Sequence, residues 1–159
     1  MVSTDGVSRV AKGERKPVGL IKGETLQGNP LDIVDFKGKV VVINVWGSWC
    51  PPCRAEAPYL NKVAKEMKPK GVQFIGINTR DNDRSLPIAF EEDFDISYPS
   101  LYDPEGRIIL SGFPKGTVNL QGLPATVVVD RNGKISARQF GGVDDSRLRK
   151  MIDPVVKEG

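Results

Sequence analysis

The chain has 159 residues, 39% hydrophobic and 27% charged, enough apolar material for the core of one ordinary globular domain. It contains no histidine and only two cysteines, which excludes Ser-His-Asp and Cys-His catalysis, imidazole-bound zinc, iron or haem, and a four-thiolate zinc site within one chain. The net charge of +3 does not point to nucleic acid. Residues 1–17 hold four basic against two acidic residues and the rest 19 against 18, so the body has no electrostatic footprint for phosphates.

Residues 1–17 lack apolar periodicity and read as a flexible lead-in or tether, with the globular domain spanning 18–159. They hold no apolar signal-peptide core, a pattern shared by a cytosolic protein and by a chain cut after its signal or anchor. No stretch approaches the 18 consecutive apolar residues that a membrane-spanning helix needs. Gly19–Ile21 and the glycine-rich segment through Leu31 and Ile33 predict a short hairpin. Lys39–Trp46 is a continuous β-branched run, which indicates a strand covered on both faces. A helix is expected over Pro51–Met67, because Ala57, Leu60, Ala64 and Met67 form one apolar stripe. Pro58 lies inside it and is expected to kink it. Val72–Ile77 is a second buried strand, and strand, helix, strand makes a βαβ unit.

Ser85–Phe94 reads as a further helix and Ser100–Tyr102 as a short strand, within a locally acidic segment over 80–105. Asp81, Asp83, Ser85 and Glu92 fall at the offsets of a calcium loop. Leu86 stands where such a loop needs glycine, so an acidic helix N-terminus is the better reading. Thr126–Asp130 and Lys134–Phe140 flank an Asn-Gly pair and predict a hairpin. A last helix, capped by Asp144 or Asp145, places Leu148, Ile152 and Val155 on one face. The tally is an α/β domain: a βαβ unit followed by ββα.

All the cysteine sits in Trp49-Cys50-Pro51-Pro52-Cys53, between a buried strand and a helix. Cys50 therefore meets the unpaired N–H groups and positive dipole end of the helix, which favour its thiolate. The thiolate is the species that attacks a disulfide. A three-residue offset puts Cys53 within disulfide reach, and Pro51 and Pro52 suit the first helical turn. A redox pair is far better favoured than two structural thiols.

On these residues the chain resembles the thioredoxin superfamily. Gly38–Pro58 (GKVVVINVWGSWCPPCRAEAP) is similar, more narrowly, to the TlpA/ResA group of extracytoplasmic thiol–disulfide oxidoreductases. The similarity extends over about residues 18–156, and Arg80–Asn82 with Tyr98–Pro104 resembles members that serve cytochrome c assembly. The resemblance implies a thioredoxin-like three-layer sandwich with an N-terminal β-hairpin and a central helix-containing insertion. It makes Leu123–Pro124 a candidate cis peptide bond beside the sulfurs, with the Leu123 backbone offered to an extended partner peptide. It also implies that Glu56, one turn beyond Cys53, controls that thiol's proton. Asn44 stands where thioredoxin has a buried aspartate, so no titratable group is available there and acid–base work falls to Glu56. Trp49, Pro51 and Pro52 are expected to contact the partner, and Trp46 to pack beneath as core.

The expected activity is dithiol/disulfide exchange through Cys50, which attacks, and Cys53, which resolves, with no bound cofactor and no metal. The resemblance implies a monomer outside the cytoplasm, membrane-tethered or secreted, whose signal or anchor is absent from this chain. Its substrates would be protein disulfides, those of apocytochrome c among them, with electrons from a membrane thiol reductase. Three readings compete: an oxidant that introduces disulfides, a redox-inactive adaptor using the same surface, and, more weakly, a peroxidase.

Overall fold

The computed structural model describes residues 2–4 and 6–159, residues 2–4 by their backbone alone. Among the described residues, nine strands and four α-helices follow in order: β1 (Val2–Thr4), β2 (Val7–Arg9), β3 (Lys22–Glu24), β4 (Pro30–Asp32), β5 (Val40–Trp46), α1 (Pro51–Met67), β6 (Val72–Thr79), α2 (Ser85–Asp93), β7 (Ser100–Asp103), α3 (Arg107–Gly112), β8 (Ala125–Val129), β9 (Ile135–Phe140) and α4 (Asp145–Lys157). Seven strands form one mixed sheet in the order β1-β2-β9-β8-β5-β6-β7, and β3 and β4 form a separate hairpin.

The central strand explains the architecture. All seven residues of β5 are buried, because it is parallel to β6, antiparallel to β8, and covered on both faces. On one face Val40 and Val42 pack with Leu60, Val63 and Met67 of α1 and with Leu148, Met151 and Ile152 of α4. On the other, Val41, Ile43 and Val45 pack with Ile21, Ile33, Ile109 and Phe113 from the hairpin region and α3. The result is a thioredoxin-like three-layer α/β sandwich. Helix α2, the segment between β6 and β7, brings Phe90 onto Trp46 with ring centroids 4.7 Å apart, so the central insertion closes over the end of the sheet where β5 stops.

The expected stripe on α1 is buried at all four positions, and Pro58 lies within the helix. Asp144 is the cap of α4: its side chain accepts from the Arg147 N–H at 2.8 Å. Helix α3, which the sequence reasoning did not distinguish from loop, spans six residues, too few for a periodic pattern. It is held from a distance, since the buried Asp103 carboxylate accepts from the N–H groups of Ile108 and Ile109, both at 3.1 Å.

Residues 1–17 require a correction. Positions 1 and 5 lie outside the described residues, but Val7–Arg9 form a strand of the sheet and Pro17 bridges to Lys134, so the segment is not a flexible lead-in. Strand β2 pairs antiparallel with β9, Val7 is fully buried, and the Ile135 N–H donates to the Lys16 carbonyl at 2.9 Å. Arg15 locks this segment down. Its guanidinium donates to Asp130 at 3.0 Å and to both oxygens of Glu158 at 2.8 and 2.6 Å, with 6% of its side chain exposed. One apolar side chain on a three-residue strand is too little to read as periodicity, and the partners of Arg15 lie 115 and 143 residues away.

Removing this guanidinium has a definite consequence. Burial works against the charge on Asp130, but the Lys134 N–H, Arg15 and the Asn132 N–H together hold its carboxyl below the usual range. The hydrogen bond from Arg15 does the same for Glu158. Arg15→Gln is expected to lower unfolding free energy at pH 7 by about 2 kcal/mol, the scale of hydrogen bonds to charged groups. Because both carboxyls are depressed, the contribution exists above their unfolded pKa and disappears as pH falls through the folded values. Urea unfolding curves of the two proteins should therefore converge at acid pH; a pH-independent gap would show that the ion pairs contribute nothing.

Candidate active site

Strand β5 ends at Trp46, a turn follows over Gly47–Trp49, and α1 begins at Pro51. Cys50 is the residue that caps α1: its backbone is extended, and its sulfur accepts the Cys53 N–H at 3.2 Å. Cys50 and Cys53 are joined as a disulfide with Cα atoms 5.2 Å apart. In this state each cysteine is only 2% exposed, so exposure does not distinguish the two. What distinguishes them is the helix, whose end points its N–H groups at Cys50 and already includes Cys53.

The sulfurs lie in an apolar cluster with Leu26, Trp46, Ala57 and Phe90, against which Leu123 packs. The Leu123–Pro124 peptide bond is cis, and the Pro124 carbonyl accepts the Gly141 N–H at 2.8 Å. Pro51 and Pro52 are exposed at the start of the helix. Trp46 is buried and donates its indole N–H to Ser100 Oγ at 3.0 Å. Trp49 is 44% exposed; its ring carries the Arg80 guanidinium 4.8 Å above its centroid. Arg54, beside the pair in sequence, points elsewhere and stacks over Phe90 and Phe94 at 5.3 Å.

Glu56 occupies an unusual place for a carboxylate. It is 2% exposed on the inner face of α1. One oxygen accepts from Asn44 Nδ2 at 2.8 Å and the other from the Val143 N–H at 3.1 Å. Burial pushes its pKa from 4.5 up to about 8, against the opposing pull of those two hydrogen bonds. With the pair oxidised, the group is therefore mostly protonated at neutral pH, within one helical turn of Cys53. A cavity of about 10 Å³, room for one water, lies among Asn44, Trp46, Cys53, Tyr98 and Ser100.

The fold thus brings Cys50, Cys53, Trp49, Pro51, Pro52, Leu123 and Pro124 to one end of the sheet, with Glu56 beneath. Asn44, identified by sequence only as a non-titrating position, turns out to hold Glu56. Three participants were not read from the sequence as part of the site: the Val143 N–H, Arg80 above Trp49, and Asp81, whose carboxylate holds Ser48. Each acts across a separation of 31 residues or more.

A CxxC disulfide capping the first helix of a thioredoxin-like sandwich defines a thiol–disulfide oxidoreductase, and sequence comparison is in accord with that class. The chain belongs to the Redoxin family, whose model matches residues 11–152. It is 34% identical over 131 residues to the thiol-disulfide oxidoreductase ResA of Bacillus thuringiensis, covering 82% of this chain and 72% of that protein. It is 35% identical over 147 residues to the thiol:disulfide interchange protein DsbE of Yersinia pestis, covering 90% and 72%. Among solved structures, a secreted thiol-disulfide isomerase from Corynebacterium glutamicum superposes with a TM-score of 0.88 at 30% identity, over 99% of this chain and 96% of that one.

Proposed function

We propose that this chain is a reductant of protein disulfides outside the cytoplasm, with the Cys-containing haem-attachment segment of apocytochrome c as its principal substrate. The Cys50 thiolate attacks one sulfur of the partner disulfide and forms a mixed disulfide, and the displaced partner sulfur takes up a proton. Cys53 then passes its proton to Glu56 and attacks the Cys50 sulfur, breaking the mixed disulfide; the second partner sulfur leaves as a thiolate that water protonates, and the Cys50–Cys53 disulfide remains. Two electrons pass to the partner, and a membrane thiol reductase returns them. Trp49, Pro51, Pro52, Leu123 and Pro124 form the surface against which an extended partner segment lies.

The observation that carries the mechanism is Glu56. A buried carboxylate that accepts the Cys53 proton ends the cycle protonated, and protonated is the state that burial favours beside the disulfide. The kinship with ResA and DsbE supports protein disulfides as the substrate class, the resemblance of Arg80–Asn82 and Tyr98–Pro104 to cytochrome-assembly members favours apocytochrome c among them, and the secreted neighbour supports the location.

Direction is decided by reduction potential. Equilibration of the Cys50–Cys53 pair with glutathione buffers is expected to give a value below about −220 mV. A value above about −180 mV would instead assign the chain to disulfide formation.

A further inference from the structure

Of the buried carboxylates that the thiol chemistry above leaves unused, Asp81 is the one that reaches the active-site turn. Asp81, in the turn after β6, is 3% exposed. Its Oδ2 accepts from the Ser48 backbone N–H at 2.9 Å and from Asn78 Nδ2 at 2.8 Å, and its Oδ1 accepts the Ser48 hydroxyl at 2.5 Å. The turn is anchored in its own right, since the Asp81 carbonyl accepts the Tyr102 hydroxyl at 2.7 Å. Two charge-assisted hydrogen bonds therefore grip a residue two positions before Cys50. Against them, the Gly47–Trp49 turn has little of its own. The Cys50 N–H reaches the Gly47 carbonyl at 3.3 Å, and the Trp49 indole reaches the Thr79 carbonyl at 3.4 Å.

The segment over 78–81 gives up stability to hold this shape. Arg80 has a φ of +59°, a left-handed conformation uncommon for a residue with a Cβ. Its guanidinium nonetheless lies over Trp49 and donates to the Leu120 carbonyl at 3.3 Å. Asn78 Oδ1 and Thr79 Oγ1 are the two buried side-chain polar atoms without a protein partner among the described residues. Strain and unpaired groups concentrated in four residues, at the end of β6 and the turn after it, are more typical of a position kept for function than of one kept for stability.

We propose that Asp81 is a positioning residue for dithiol–disulfide exchange. Through Ser48 it holds the Gly47–Trp49 turn so that the Cys50 sulfur stays at the end of α1, within reach of the Cys53 N–H. That contact favours the thiolate. Loosening the turn weakens it and raises the pH at which Cys50 becomes reactive. The negative charge of Asp81 acts in the opposite direction, because a carboxylate near a thiolate disfavours it, so the test must keep the charge.

The deciding variant is Ser48→Ala, which removes one hydroxyl and leaves the carboxylate in place; Asp81→Glu keeps the charge and displaces the oxygens. Iodoacetamide alkylation of the fully reduced chain, followed from pH 5 to 10 with the modified cysteine identified by peptide mass, reads the effect. Ser48→Ala is expected to move the Cys50 profile to higher pH, with a thiolate fraction about twofold or more lower on its acid side. Where Asp81→Glu folds, its displacement should be larger. A Ser48→Ala profile that superimposes on the parent, or moves to lower pH, overturns the role whatever happens to melting temperature. The inference rests on Cys50 being the attacking thiol. Alkylation that reaches Cys53 first would sink that assignment, whereas a reactive Cys50 with an unmoved profile would sink the role of Asp81 alone.

Discussion

Cys50→Ser is expected to abolish turnover in insulin reduction, whereas Cys53→Ser is expected to accumulate mixed disulfides with partner proteins. The asymmetry comes from the helix. Cys50 caps α1 and its sulfur accepts the Cys53 N–H, so the thiolate is stabilised where an incoming disulfide arrives beside Trp49. A serine hydroxyl at that position is not ionised at neutral pH and starts no exchange. With Cys50 intact and Cys53 replaced, attack proceeds but the second sulfur needed to release the partner is missing. Non-reducing gels of each variant mixed with an oxidised partner distinguish them. Trapping by Cys50→Ser instead would reverse the two roles, even though both cysteines are equally buried in the disulfide.

Glu56→Gln is expected to slow partner reduction by roughly 10- to 100-fold at pH 7, the contribution of one positioned proton acceptor. It should also change the pH dependence of thiol alkylation between pH 5 and 10; superimposable curves would make Glu56 a structural residue only. A second effect falls on stability. The folded oxidised protein keeps the Glu56 proton up to about pH 8, while the unfolded chain releases it near 4.5. Between those values the native state binds more protons than the unfolded one, so stability falls as pH rises across that window and levels off above it.

The loss across the whole window is on the order of 5 kcal/mol. Glu56→Gln removes the slope. Glutamine offers one acceptor oxygen in place of two, so either Asn44 or Val143 loses a partner at a penalty of about 1 kcal/mol that does not vary with pH. Urea unfolding of the oxidised proteins at pH 5 and pH 8 separates the two contributions. The parent should lose stability over that interval and the variant should not.

The local elements were legible because their signals are local. Seven consecutive buried residues make β5 readable as a two-faced strand, and the Ala57–Leu60–Ala64–Met67 stripe makes α1 readable over its full length. The CxxC pair sits at the strand–helix junction, where thiolate chemistry follows from the helix end itself. Glu56 became a candidate through the resemblance, which implies a proton-controlling glutamate one turn beyond Cys53 and an aspartate in thioredoxin at the position Asn44 fills.

The tertiary structure decided what these candidates can do. Glu56 could have been an exposed helix charge; the folded chain buries it, and that burial raises its pKa against the hydrogen bonds from Asn44 and from Val143, 87 residues later. Arg15, in a stretch without periodicity, is locked to Asp130 and Glu158 only because β2 pairs with β9 and α4 ends beside them. Asp81 resembled an acidic helix start and is instead the acceptor that holds Ser48. Periodicity and motif spacing report forces between neighbours a few residues apart. Desolvation and hydrogen bonding of a buried charge depend on groups that only the folded topology brings together.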